Sequence, residues 1–155
     1  MDHAEQALVM RSMRTTTVIC FAIAISIPIY VAIAWFLASQ GPLDDEPPAS
    51  VVYGLLALAA GLLIAAVAVS RRLKTTAAAK PTLVERLDAQ RVATIVSFAL
   101  REGIAVVGLV ITLLDGDLRW ILGLATVSLV AMLLDWPAPA DWERLAADPA
   151  TAPII

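Results

Sequence analysis

Three ionisable residues in the C-terminal half of this chain stand where charge is expensive. Arg101 and Glu102 are adjacent near the middle of an apolar run from Val92 to Leu114, and Asp135 closes the following run. A run of that length crosses a bilayer, and charges at such depth are rarely kept without a use. A guanidinium and a carboxylate there can pair across helices, carry a proton or hold an ion. Neighbouring helical residues point about 100° apart, so Arg101 and Glu102 do not face each other, and each needs its own partner. Counting back from the turn Asp115-Gly116-Asp117 sets Arg101 level with Ala131. Asp135 is then about one turn (~6 Å) nearer the membrane edge, within reach of an Arg side chain. The expectation is an Arg101–Asp135 ion pair. Glu102 has no evident cation in the chain. It is neutral through desolvation, paired with a cation on another subunit, or engaged with a proton or an ion.

Four apolar runs position these groups: Thr15 to Ala38, Val51 to Ser70, Val92 to Leu114 and Leu118 to Leu134. The 155 residues are 60% hydrophobic, with a mean hydropathy of +0.83. A soluble domain is nearer half apolar and carries more charge. The expected fold is therefore all-α and polytopic, with four transmembrane helices as two hairpins. Residues 1–14 form a tail, 15–135 the four-helix domain with a basic loop over 71–91, and 136–155 a second tail. The first run is roughly twice the length of a signal-peptide core, and no small-residue cleavage site follows it, so it reads as a retained span.

Lys and Arg placement gives the orientation. Arg11 and Arg14 precede the first run. Arg71, Arg72, Lys74, Lys80, Arg86 and Arg91 lie between the second and third, whereas the first connector holds only Asp44, Asp45 and Glu46. Both termini and the middle loop are expected in the cytoplasm, which makes this a multi-pass plasma (inner) membrane protein. Trp35, Tyr53 and Trp120 would mark the outer interface, with Trp136 and Trp142 at the inner one. Thr82 and Glu85 have capping-box spacing after Pro81, which predicts a helix running into the third span. A short amphipathic turn is expected around 141–147, and disorder after it.

Other features concern packing. Ala57, Gly61 and Ala65 form a small-residue stripe on the second run, and Ala99 and Gly103 form another on the third. Such stripes let helix backbones approach within the bundle or dock another subunit. Pro28 predicts a kink in the first span, with Ser26 and Tyr30 in the same polar spot. Arg14 to Ile23 and Arg91 to Leu100 share Arg, Thr, Phe and Ala at matching places, as a parallel internal repeat would. The basic residues Arg71, Arg72, Lys74 and Lys80 set topology and can attract anionic lipid.

Several function classes are excluded. The one histidine, His3, precedes every span, so no haem ligand is offered within the spans. Cys20 is the one cysteine, which rules out an intramolecular disulfide or a Cys metal cluster. Neither a metalloprotease, nor a P-loop, nor a dinucleotide motif is present. No cofactor and no metal are expected. Without aromatics interleaved among the basic residues, nucleic acid is not a partner.

The stretch Glu102-Gly103-Ile104-Ala105-Val106-Val107-Gly108-Leu109-Val110-Ile111 resembles the ion-carrying helix of the proteolipid (c-type) subunits of rotary ATPases. The resemblance implies that Glu102 is an ion-binding carboxylate, and the tandem hairpins resemble the duplicated V-type form. It covers about ten residues. In that family the carboxylate lies on the second helix of a hairpin, whereas Glu102 lies on the first helix of its own.

The sequence thus points to a non-enzymatic membrane protein with the lipid bilayer and other membrane subunits as partners. The leading expectation is an accessory or assembly subunit of a larger membrane complex, an energy-transducing one being among the candidates. The alternative is a small homo-oligomeric protein conducting ions or protons through Glu102. A membrane adaptor acting through 71–91 is a third reading.

Overall fold

A computed structural model describes residues 3–40 and 47–146. Five helices follow in order: α1 His3–Ala38, α2 Ala49–Ala78, α3 Leu83–Asp115, α4 Arg119–Leu134 and α5 Pro139–Ala146. No strand occurs among the described residues. Helices α1, α2 and α3 are each long and apolar enough to cross a membrane. With α4 and α5 taken as one span bent by 43°, the number is four. The molecule is a helical bundle of a kind compatible with a membrane protein.

Helix α3 is the hub. It makes the most extensive contacts with α2, α1 and α4 in turn, and 50% of its most apolar stretch is buried, against 17% for α1 and 11% for α2. One apolar cluster joins Cys20 and Ile27 of α1 to Phe98 and Ala105 of α3 and to Ile121 and Met132 of α4. A second joins Ala59 of α2 to Ile104, Val107 and Ile111 on another side of α3. Helices α1 and α3 run parallel with almost no stagger: Ser26 meets Glu102, and Arg11 lines the same cleft as Asp88. These offsets, 76 and 77, match the offset of 77 between Arg14 and Arg91 in the repeated segments.

Local chemistry fixes the ends. The Thr82 hydroxyl accepts from the Glu85 backbone N–H at 3.3 Å and starts α3. Gly116 ends it with φ 73°, a left-handed conformation that glycine adopts without penalty, and its N–H donates to Thr112 O at 2.8 Å. The Thr112 hydroxyl accepts the Ile121 N–H at 3.0 Å and ties the turn to α4. Asp117 Oδ1 accepts the Arg119 N–H at 2.9 Å. The Arg119 guanidinium hydrogen-bonded to Asp117 holds that carboxyl below its ordinary range. Close approach of α3 and α4 is set at Gly108, where an added Cβ would lie 2.9 Å from Leu124 Cβ and 3.2 Å from Ile121 Cα.

Residues 3–14 of the expected tail are the opening turns of α1. Within the basic stretch 71–91, residues 83–91 open α3 as the Thr82 and Glu85 spacing predicts, whereas 71–78, expected as loop, continue α2, which leaves a tight connection around Pro81. A helix is held by backbone hydrogen bonds and continues where hydropathy falls, so the apolar runs mark spans and not helix ends. Helix α5 covers 139–146. Its Trp142 is 1% exposed, seated on Val9 and Leu87 in a third cluster, so this ring packs inside the protein where α1 and α3 begin. Arg86 Nη1 donates to Leu145 O at 3.1 Å and secures the end of α5. The disorder expected after residue 146 and the acidic connector at 44–46 lie outside the described residues.

Candidate functional site

Two polar clusters interrupt the apolar packing. The first is centred on Asp135, which ends α4. Its Oδ2 accepts from Arg101 Nη1 at 2.8 Å, from Ser97 Oγ at 3.2 Å and from Ser70 Oγ at 3.3 Å. Its Oδ1 accepts from Lys74 Nζ at 2.6 Å. One carboxylate thus gathers donors from α2 and α3. The Arg101 side chain is 6% exposed and Lys74 35%, so Arg101 depends far more on the shared anion. Arg101 Nε is buried without a hydrogen-bond partner. The Ser128 hydroxyl donates to Arg101 O at 2.7 Å, binding α4 to the backbone of α3 at the same level.

The second cluster lies between α1 and α3. Glu102 Oε1 is 2.5 Å from Ser26 Oγ and 2.7 Å from Tyr30 Oη. Ser26 Oγ is also 2.6 Å from Ile23 O. The serine has one hydroxyl proton for two acceptors, so the arrangement depends on where the acid proton is. With Glu102 ionised, Ser26 serves either the carboxylate or Ile23 O. With Glu102 protonated on Oε1, the acid donates to Ser26, Ser26 donates to Ile23 O, and Tyr30 donates to Glu102. Every proton then has an acceptor.

The structure brings Arg101 and Asp135 together and keeps Glu102 apart, on hydroxyl groups of α1. It also shows groups that the apolar pattern did not reveal. Lys74, read as a topology residue, contacts Asp135 together with Ser70 and Ser97, and Ser26 and Tyr30 meet Glu102. One sequence feature could have exposed them: Ser26/Tyr30, Ser70/Lys74 and Ser97/Arg101 are each spaced by four, which stacks the two polar groups on one helical face. Arg71, Arg72 and Lys80 remain exposed.

The small-residue stripes divide between the bundle and its outside. Ala57, Gly61 and Ala99 are exposed and Ala65 is half-buried, while α2 buries Ala59, Ala66, Ser70 and Ala77 instead. A Cβ on Gly61 would meet nothing within 4 Å, whereas one on Gly103 would lie 3.1 Å from Leu62 Cδ1. The side of α2 turned to α3 is set by Leu62 and by the Ser70–Lys74 contact with Asp135, which rotates the Ala57–Gly61 face outward. Among the described residues, no three His, Cys, Asp or Glu side chains are grouped to hold a metal ion.

Fold and clusters together define an all-helical membrane-type bundle with a carboxylate-centred polar layer. No family model, no curated protein and no solved structure matches this chain.

Proposed function

We propose that this chain is a non-enzymatic four-span protein of the plasma (inner) membrane that serves as an accessory or assembly subunit of a larger membrane complex. The asymmetry of Lys and Arg supports cytoplasmic termini, with α4 carrying the fourth crossing and α5 bending away to dock on the cytoplasmic ends of α1 and α3. The observation that carries the subunit reading is the unused side of α2. Only 11% of its most apolar stretch is buried by the rest of the chain, and Ala57 and Gly61 look outward, with open space beyond Gly61. In lipid, helices associate by close packing and not by escape from water, so an open face of small residues is fitted to another helix.

The test is purification of the tagged chain in mild detergent, with mass spectrometry of co-migrating proteins. Stoichiometric membrane partners are expected, and Gly61→Leu should release them without unfolding the chain. Recovery of the unaltered chain as a single species defeats the reading, as do partners that stay bound to Gly61→Leu. Cysteine labelling from the two sides of the membrane checks the topology.

A second reading, a homo-oligomeric ion- or proton-conducting protein, draws on the Glu102 cluster. Its hydroxyl partners accommodate the acid in both protonation states, as a proton-carrying group requires. Flux into liposomes that Glu102→Gln abolishes, with assembly intact, would favour it over the subunit role.

A further inference from the structure

We infer that the cytoplasm-facing ends of α1 and α3 form a binding site for the headgroup of an anionic phospholipid, phosphatidylglycerol being the one the charges fit. The two helices start side by side and leave a cleft of about 290 Å³ between them. Arg11 and Ser12 line it from α1, and Asp88 and Arg91 from α3, with Leu8 and Val84 as apolar walls. Neither Arg11 nor Arg91 makes an ion pair or a side-chain hydrogen bond among the described residues. Arg11 and Arg91 line one cleft, and a phosphodiester there accepts hydrogen bonds from both. Asp88 leaves the cleft with one net positive charge (two Arg less one Asp), which a single phosphate neutralises. The glycerol hydroxyls of this headgroup are donors for the Asp88 carboxylate. Thr15 in the same wall spends its proton on Arg11 O at 3.0 Å, so Ser12 is the hydroxyl free to donate.

Depth fits the same ligand. Arg11 lies about 6 Å before the apolar run that starts at Thr15, and Arg91 adjoins the run that starts at Val92. Both guanidiniums therefore stand at the level of lipid phosphates. Leu8 and Val84, 45% and 56% exposed, wall the cleft on the cytoplasmic side of the guanidiniums, the side toward which the headgroup glycerol points. The site rests on the reading that α1 and α3 cross the membrane from these ends, and it is separate from the exposed Arg71 and Arg72 on α2.

The experiment is native mass spectrometry of the full chain in detergent, titrated with phosphatidylglycerol or phosphatidylcholine. One phosphatidylglycerol should bind with roughly thirtyfold preference, as two charges near the surface provide. R11Q/R91Q should erase the preference, and Ser12→Trp should do the same by filling the cleft without changing charge. R71Q/R72Q, an equal loss of charge elsewhere, should leave it intact. Equal loss in R71Q/R72Q would mean diffuse attraction and overturn the site, as would a preference that survives both cleft variants. Displacement by equimolar inorganic phosphate would assign the cleft to the free anion and overturn it too. Equal retention of both lipids defeats the site alone, whereas retention of neither would count against the membrane reading itself.

Discussion

Arg101 Nη1 lies 2.8 Å from Asp135 Oδ2, so the middle of the central helix is held by the residue that ends its hairpin partner. The same carboxylate bonds Lys74 of α2 through its other oxygen, 2.6 Å away. Helices α2, α3 and α4 therefore depend on one acid.

Removing that acid should be worse than removing the exposed cation. Asp135→Asn leaves Arg101 buried without a counter-charge, a loss of about 3–5 kcal/mol for a buried pair. Lys74→Gln removes a partner that is one-third exposed, and the expected loss is below about 1 kcal/mol. Denaturation in mixed micelles, followed by helical signal, measures both. A charge exchange combining Arg101→Asp with Asp135→Arg that recovers nothing lost in the single variants would argue against the pair as a stabilising contact.

Gly108 and Gly61 should respond oppositely to the same change. Gly108→Ala drives a methyl against Leu124 and the α4 backbone, an overpacking that costs about 1–3 kcal/mol. Gly61→Ala adds a methyl in open space and should leave the isolated chain as stable as before, or slightly more so through helix propensity. Unfolding midpoints of the two purified variants give the comparison.

The state of the Glu102 proton is readable by infrared spectroscopy. Difference spectra between the native chain and Glu102→Gln isolate the Glu102 band, a C=O stretch for the acid or carboxylate bands for the ion. Tyr30→Phe should shift that band, because Oε1 loses one hydrogen bond. Finding only carboxylate bands assignable to Glu102 would leave the ionised form, with Ile23 O losing the Ser26 proton whenever Ser26 turns to the acid.

Trp142 anchors α5. Trp142→Ala should weaken the docking of α5 on Val9 and Leu87 by about 3–5 kcal/mol, the usual loss for a fully buried tryptophan. Limited proteolysis near residue 139 should become fast while α3 and α4 remain protected.

Much of the frame is legible in the sequence because it follows from short-range rules. The turn at Asp115-Gly116-Asp117 joins its two helices with almost no slack, so counting along antiparallel helices places Arg101 against Asp135. Thr82 and Glu85 announce the start of α3 in the same way. The parts that escape depend on helix neighbours joined by long connections. No short turn sets the register of α1 against α3, and so Ser26 and Tyr30 could not be matched to Glu102 by counting. Lys74 was hidden for a different reason. A drop in hydropathy at Arg71 reads as a loop, but α2 stays helical and carries Lys74 round to Asp135. A small-residue stripe likewise reports that close approach is possible, without reporting from which side.

The Arg101–Asp135 contact also bears on how the chain enters the membrane during synthesis. Its partners are 34 residues apart, so α3 emerges from the ribosome before its counter-charge exists. Its most apolar stretch has a mean hydropathy of 1.9, against 2.4 and 2.5 for α1 and α2, the lowest of the three. In the proposed four-span topology, α3 is therefore the least apolar of these three helices, and Arg101 gains its counter-charge only when Asp135 has been made. Synthesis order and charge placement then predict that α3 and α4 insert as one unit, with the Gly116 turn short enough to deliver them as a closed pair.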